Sequence, residues 1–524
     1  MQATAPLRTR TRYNTLTLVI AVTTGFVFAF RRGQDANWDQ LNYHLNMPFL
    51  LLHGTLWDSI APSGIQTYLN PLVLVPQYLI IRALPPLLAV AIIASMQALA
   101  FVIAGQICLR IAPPDLVTRD YRPAFMGFLL CLASPMALSE AGTTIADLLL
   151  AVPVLLAYFL LLASKQNPAL RRANLTAGAL LGLAAGLKLT NAVYVIGAPA
   201  FFLTGDGPIR QRIGELAKVA SGVAIGFLAV AGYWHAIMWY RFGNPVFPFA
   251  NNVFHSPDAP QVALRDARFL PTSAWDILRY PMYWLLGGSP TPDLPSPASE
   301  TDPKDARFIL ALALVPVALV VGLLRRNRLA AQVQTGLLLA CAIDYVAWLF
   351  AFGIQRYLIP AEILCGAVLL ALVSRIDAGR WRLLLLLGLI VIALARVHVA
   401  SWGRLPWGEH WRTIARTPLA LPGRPLIFLT SRPTAFLALS LPDNARYVGF
   451  DTGMDLSADM NTTLTRQLRT ELAATPPFSL YAIVQGPLGK TAASMLASYG
   501  LHVTPRCRTL AVAAETFLVC DVVP

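Results

Sequence analysis

The sequence predicts a mostly α, polytopic transmembrane helical bundle of about eleven spans, with a small α/β domain following it outside the membrane. Three observations carry that reading. The 524 residues are 56% hydrophobic and only 13% charged, against roughly 25% charged in an ordinary soluble domain. Apolar runs near the roughly 20 residues that cross a hydrocarbon core recur through the first three quarters of the chain. The basic residues fall into alternate connections between those runs.

The expected spans are roughly 14–30, 86–108, 124–138, 147–164, 174–187, 190–204, 217–240, 307–324, 330–352, 357–374 and 382–397. Arg8, Arg10 and Arg12 precede the first run, and Arg31 and Arg32 follow it with no small-residue cleavage pattern, so it reads as an uncleaved first helix. With the N-terminus in the cytoplasm, the inside loops hold Arg110, Arg119 and Arg122; Lys165, Arg171 and Arg172; Arg210, Arg212 and Lys218; Arg325, Arg326 and Arg328; and Arg375, Arg380 and Arg382. Every inside loop is then basic, as the positive-inside rule requires. The fifth and sixth runs are short and read either as a tight pair of spans or as one span plus a re-entrant piece. Merging them would break the alternation downstream.

The formal net charge of +14 would suggest nucleic acid in a soluble protein. Here the charge sits in short loops and sets topology, so no nucleic-acid partner is expected; membrane lipids are. The expected location is a bacterial cytoplasmic (inner) membrane.

Residues 1–398 form the membrane domain. It includes a first outside loop, 31–85, and a long outside loop, 241–306, whose Pro-rich piece near Ser289–Pro303 reads as irregular. Thr67–Arg82 is apolar but carries Asn70, Pro71, Pro76 and Gln77, which suits a helix lying at the outer surface. Residues 399–524 form the outside α/β domain. Its short β-like runs are Pro425–Thr430, Arg446–Phe450, Leu480–Val484 and Phe517–Val523, and its helical stretches are Leu464–Ala473 and Lys490–Tyr499. Cys108, Cys131, Cys341 and Cys365 lie in apolar runs and read as inert. Cys507 and Cys520 either pair across a terminal hairpin or stay free, and no cysteine has metal-ligand spacing.

Ionisable residues at or within a membrane are costly, so chemistry is sought there first. The stretch Gly33 to His44 carries Asp35 and Asp39, four residues apart and on one face if helical, with Trp38, Tyr43 and His44 beside them. An ordinary interfacial loop with aromatic anchors explains it equally well. Asp147 opens the fourth run, as a site residue or a first-turn acid. Lys188, between the fifth and sixth runs in Gly186-Leu187-Lys188-Leu189-Thr190-Asn191, interrupts an apolar stretch and calls for an anion partner. Arg356-Tyr357 opens the tenth span. The charge count places Lys188 and Arg356 on the same outer face as Asp39 and Asp147, where a lipid phosphate would need such cations. Asp344 and Glu362, inside apolar runs, read as proton-relay groups or as polar glue between helices. His235, late in the seventh run, is given no role.

This arrangement resembles the GT-C superfamily of polytopic glycosyltransferases, over roughly residues 14–375. The matching features are the acidic motif after the first span, the juxtamembrane helices and the second outside acid. The Arg356-Tyr357-Leu358-Ile359-Pro360 string, Phe242-Gly243-Asn244-Pro245-Val246-Phe247-Pro248-Phe249 and Gly186 to Asn191 also match.

The resemblance implies inverting transfer of a sugar from a polyprenyl-phosphate carrier to a glycan, lipid or protein acceptor at the outer face. Asp39 would be the general base, Asp147 would position the acceptor or share that role, and Asp35 would be the less favoured base. Lys188, Arg356 and Tyr357 would hold the leaving phosphate; Trp38, Tyr43, His44 and Asn191 would shape the acceptor side. The family usually shows an Asp-Glu pair after the first span. This chain has Asp39-Gln40, so no cofactor is assigned and a divalent metal stays open. The rival readings are a multi-span transporter or flippase of a lipid or glycan, running through Asp344, Glu362 and Lys188, and a membrane-anchored binding scaffold.

Overall fold

The computed structural model describes residues 7–112, 120–204, 207–287, 296, 298–324, 329–376, 379, 381–450, 453–512 and 515–524. The loop arginines Arg119, Arg325, Arg326, Arg328 and Arg380, and most of the Pro-rich piece near 289–303, lie outside the described residues.

Each expected span falls on helical structure. We label these α1 Leu7–Arg32, α2 Pro86–Ile111, α3 Arg122–Leu132, α4 Asp147–Gln166, α5 Ala173–Leu187, α6 Leu189–Leu203, α7 Ile209–Phe242, α8 Arg307–Leu324, α9 Leu329–Ala351, α10 Ile359–Ile376 and α11 Trp381–Arg396. Among the described residues, six helices are long and apolar enough to cross a membrane. Large apolar side chains stand exposed along α1, α7 and α11, among them Val19, Ile225, Leu228, Leu384 and Val391. A membrane protein has that surface because lipid, not water, covers it.

Two elements differ from the expected spans for identifiable reasons. α3 stops at Leu132, not 138, because Pro135 disfavours helical geometry at Ser134; a separate short helix, Pro135–Glu140, follows. α6 is a 3-10 turn and two short helical pieces, with Pro199 at the break. Lys188 itself is extended, with φ −151° and ψ 111°, so α5 and α6 are distinct elements meeting at that residue.

Helices α5 and α7 pack backbone to backbone. Gly178 and Gly182 of α5 face Gly222 and Gly226 of α7. A Cβ at Gly182 would lie 2.1 Å from the Val223 carbonyl oxygen, and one at Gly226 would lie 2.0 Å from that of Ala179. Small residues four apart let two backbones touch, which is how helices associate where lipid removes the hydrophobic drive. The contact seats the C-terminal end of α5, and with it Lys188.

Asp344 and Glu362, the acids inside apolar runs, each bond through one oxygen. Asp344, fully buried, accepts from the Tyr158 hydroxyl at 2.8 Å. Glu362 accepts from the Met136 N–H at 3.0 Å and lies 3.4 Å from Arg307. Arg307 pairs in turn with Asp305 at 2.6 Å and donates to the Leu130 carbonyl at 2.7 Å.

Outside the bundle, β1 (Gln34–Asp35) pairs antiparallel with β2 (Arg404–Leu405). A five-stranded sheet follows, built from β3 Leu426–Leu429, β4 Arg446–Gly449, β5 Leu480–Val484, β6 His502–Val512 and β7 Glu515–Val523 in the order β4-β3-β5-β7-β6. β3 runs parallel to β4 and β5, while β7 is antiparallel to β5 and β6. Helices Thr463–Ala474 and Lys490–Ser498 accompany it. β6 has no counterpart among the expected strands: it is an exposed edge, carries Pro505 and is bulged between Val503 and Cys507, and Pro is tolerated on edges. Cys507 and Cys520 face each other across β6 and β7 and form a disulfide.

The buried residues form two clusters. One is the helical bundle. The other joins the loop between α1 and α2, the C-terminal end of α7 and the C-terminal sheet. Ile60 extends the sheet beside β4, donating to the Tyr447 carbonyl at 2.8 Å and accepting from Gly449 at 3.0 Å. Asn46 donates to the Ala435 carbonyl at 3.0 Å, and Asp258 of the second loop accepts from the Leu464 N–H at 2.8 Å. The C-terminal residues thus share a core with the first loop.

Candidate active site

The first loop turns sharply after α1. Gly33 has φ +89°, and a Cβ there would meet the Leu405 carbonyl oxygen at 2.2 Å, so glycine is required for β1 to reach β2. Asp39 then precedes a π-helical turn, Gln40–His44. Such turns occur mostly as single insertions within α-helices, frequently at functional sites.

Four of the charged residues singled out in the sequence meet through one tyrosine. Asp39 Oδ2 lies 2.6 Å from Arg356 Nη1. Lys188 Nζ lies 2.6 and 2.7 Å from the two oxygens of Asp147. The Tyr357 ring joins the two pairs: Lys188 Nζ sits 4.7 Å from its centroid and Arg356 Cζ 5.2 Å, both within cation–π reach. The anion partner that Lys188 called for is, within this chain, Asp147.

A third acid completes the cluster. Glu300 Oε2, from the loop between α7 and α8, lies 2.8 Å from Arg356 Nε. Its loop holds several acids among Ser and Pro, and nothing in its sequence marks Glu300 apart. Trp402, at the start of the C-terminal segment, places its ring 5.8 Å from Arg356 and donates to Ser139 Oγ at 2.9 Å. Three carboxylates therefore surround two cations, and each cation already has a partner.

The environment sets the protonation of the groups outside the spans. Burial pushes the Asp39 carboxyl up, but Arg356, together with His44 and Lys188, more than offsets it and leaves Asp39 below the ordinary carboxylate range. Burial raises Glu300, with Arg356 offsetting only part. Glu140, fully buried, is raised by burial and by Asp147; its Oε2 accepts from the Leu148 N–H at 2.9 Å, capping α4, and so fixes the helix start that presents Asp147.

The remaining candidates take different places. Asp35 accepts from Asn37 and Thr144 and is 1% exposed. His44 Nδ1 lies 2.9 Å from Thr144 Oγ1, and the Tyr43 ring packs edge-on against the imidazole at 4.4 Å. Asn191 is buried and donates to the Lys188 carbonyl at 3.3 Å, which holds the turn after α5. Trp38 is 44% exposed and faces Arg432 of the C-terminal domain at 6.0 Å, not the cation pair. Among the described residues there is no group of three or more His, Cys, Asp or Glu placed to hold a metal ion. An open groove at the outer end of α7, lined by Trp57, Tyr240, Arg241 and Thr463, shares no residue with this cluster.

No family model and no curated protein matches the chain. Among solved structures it is similar to ArnT from Cupriavidus metallidurans bound to undecaprenyl phosphate, with a TM-score of 0.51 and 15% identity over 97% of each chain. At that identity the likeness is one of fold. The architecture is ArnT-like, as the motif order implied for a GT-C-type fold, and the likeness extends through the C-terminal domain, beyond the 14–375 reach of the motifs.

Proposed function

We propose, from this ArnT-like fold, that the chain is a membrane glycosyltransferase that moves a sugar from a polyprenyl-phosphate carrier to an acceptor at the outer face of the cytoplasmic membrane. The observation that carries the reading is the single cluster of Asp39, Arg356, Tyr357, Lys188 and Asp147. Two cations flank one aromatic ring, which suits a phosphate and its departing charge. A carboxylate stands beside each cation. The neighbour was solved with undecaprenyl phosphate bound, a carrier of the class proposed here.

In the proposed reaction the acceptor hydroxyl gives its proton to Asp39 and attacks the anomeric carbon from the side opposite the phosphate, with inversion. The polyprenyl phosphate leaves with the electron pair, and Lys188 and Arg356 neutralise it, so no protonating acid is needed. Asp147 holds Lys188 in place and orients the acceptor. Asp35 is less suited as base, because both of its oxygens are occupied by donors. The transporter reading is disfavoured because Asp344 and Glu362 each bond across to a neighbouring helix, while Lys188 bonds to Asp147.

The direct test is to incubate membranes containing the protein with labelled polyprenyl-phosphate sugars and follow the label. Transfer to an acceptor fraction is expected; label that stays on the carrier under all acceptor conditions counts against the proposal. Glu300 occupies the guanidinium that the leaving phosphate needs. Glu300→Gln is therefore expected to tighten donor binding, lowering the donor KM by about 5–10-fold, the scale of one charge-assisted contact. An unchanged or raised KM would assign Glu300 to holding Arg356 in place instead.

A further inference from the structure

The first loop carries an unused hydrogen-bond chain beside Asp39. Asp35 Oδ1 accepts from the Asn37 N–H at 3.2 Å and Nδ2 at 2.7 Å; Oδ2 accepts from the Thr144 N–H at 2.7 Å and hydroxyl at 2.9 Å. A carboxylate so occupied only accepts, so the single hydroxyl hydrogen of Thr144 points to Asp35. Thr144 Oγ1 then offers His44 Nδ1, 2.9 Å away, only a lone pair. Nδ1 must carry the hydrogen, which leaves Nε2 as a bare acceptor. A third group fixing the tautomer of a histidine is the logic by which imidazoles are prepared as bases.

The π-helical turn supplies the second half. Its i to i+5 pitch brings His44 back to the side of Asp39, which immediately precedes the turn. After burial, the Asp39 carboxylate is the strongest influence on the imidazole. An α-helical turn would have placed residue 43 there.

We propose that His44 is the proton acceptor that clears Asp39 after sugar transfer, with Thr144 and Asp35 as the positioning residues that keep its Nε2 bare. This rests on the glycosyltransferase reading above. The acceptor O–H bond breaks as its oxygen bonds the anomeric carbon, and the carbon–phosphate oxygen bond breaks with its electron pair leaving on the polyprenyl phosphate. The proton taken by Asp39 moves to His44 Nε2, restoring the carboxylate, and leaves from the imidazolium to water. Burial holds the imidazole at about 4, so the imidazolium gives its proton readily to water at neutral pH.

The tautomer is tested in the folded full-length protein with ¹⁵N-labelled histidine in detergent. Nitrogen shifts at His44 should show a protonated Nδ1 and a bare Nε2, with the resonance assigned by its displacement in Thr144→Val. A protonated Nε2 overturns the proposal whether or not substrate is known. In the transfer assay, His44→Gln should lower kcat by about 10²-fold, the low end of general acid–base effects, with donor KM unchanged. His44→Ala should recover activity when imidazole is added. Full-rate transfer by His44→Gln, or loss that imidazole does not restore while donor binding is intact, also overturns it. Wild-type protein inert toward every polyprenyl-phosphate sugar would instead strike the functional reading, and the tautomer would still be read.

Discussion

Asp39→Asn should lower sugar transfer by about 10²–10⁴-fold, the range of a lost general base, while expression and membrane insertion stay intact. The isosteric amide keeps the shape of the π-helical turn and removes the charge proposed to accept the proton. Arg356 retains Glu300 as a partner, so the cluster need not collapse, and donor binding should survive. The measurement is single-turnover transfer from a labelled polyprenyl-phosphate sugar, with donor affinity recorded separately. Normal transfer by the variant would remove Asp39 from the chemistry. Asp344→Asn and Glu362→Gln provide the contrast: a transporter would be most sensitive there. In the enzyme those changes should act on stability, because each acid joins neighbouring helices.

Gly182→Leu should abolish the folded protein or nearly so. A Cβ at Gly182 lies 2.1 Å from the Val223 carbonyl oxygen and 2.8 Å from the Phe227 nitrogen. Both are backbone atoms of α7 and cannot rotate away. The helices must separate, which breaks the other glycine contacts along the same seam and displaces Lys188. Overpacking of a tight core typically costs about 1–3 kcal/mol; a side chain pressed against helix backbone belongs at or above the upper end. Gly232→Ala is the control, since its nearest neighbour would stand 3.6 Å away and alanine favours helix by about 1 kcal/mol. Thermal midpoint and monodispersity in detergent separate the two. Equal behaviour of the two variants would mean that the α5–α7 contact does not support the bundle.

The eleven helical elements were legible because lipid imposes a simple rule: backbone polar groups must be satisfied within the segment, so each crossing is an apolar helix of fixed minimum length. That rule also explains the errors of detail. α3 ends early because a local feature, Pro135, acts inside an apolar run, and hydropathy does not register it. Strands β3, β4, β5 and β7 were readable from their apolar runs, while the exposed edge β6, polar and bulged, was not. At the site, the unusual ionisable residues could be found one by one, since charge in an apolar context stands out. Glu300 and Trp402 could not, because acids and aromatics are ordinary in outside loops.

The sequence by itself therefore determined the fold class and the helical elements, and it singled out Asp39, Asp147, Lys188 and Arg356 as candidates, because composition, hydropathy and charge alternation are local properties. Only the tertiary structure decided which acid meets which cation, that Tyr357 links the two pairs, and that Asp35 serves Thr144 and His44. Those pairings join residues up to 317 positions apart. Packing brings them together, through glycine seams, a π-helical turn and a sheet edge whose partners no single segment encodes.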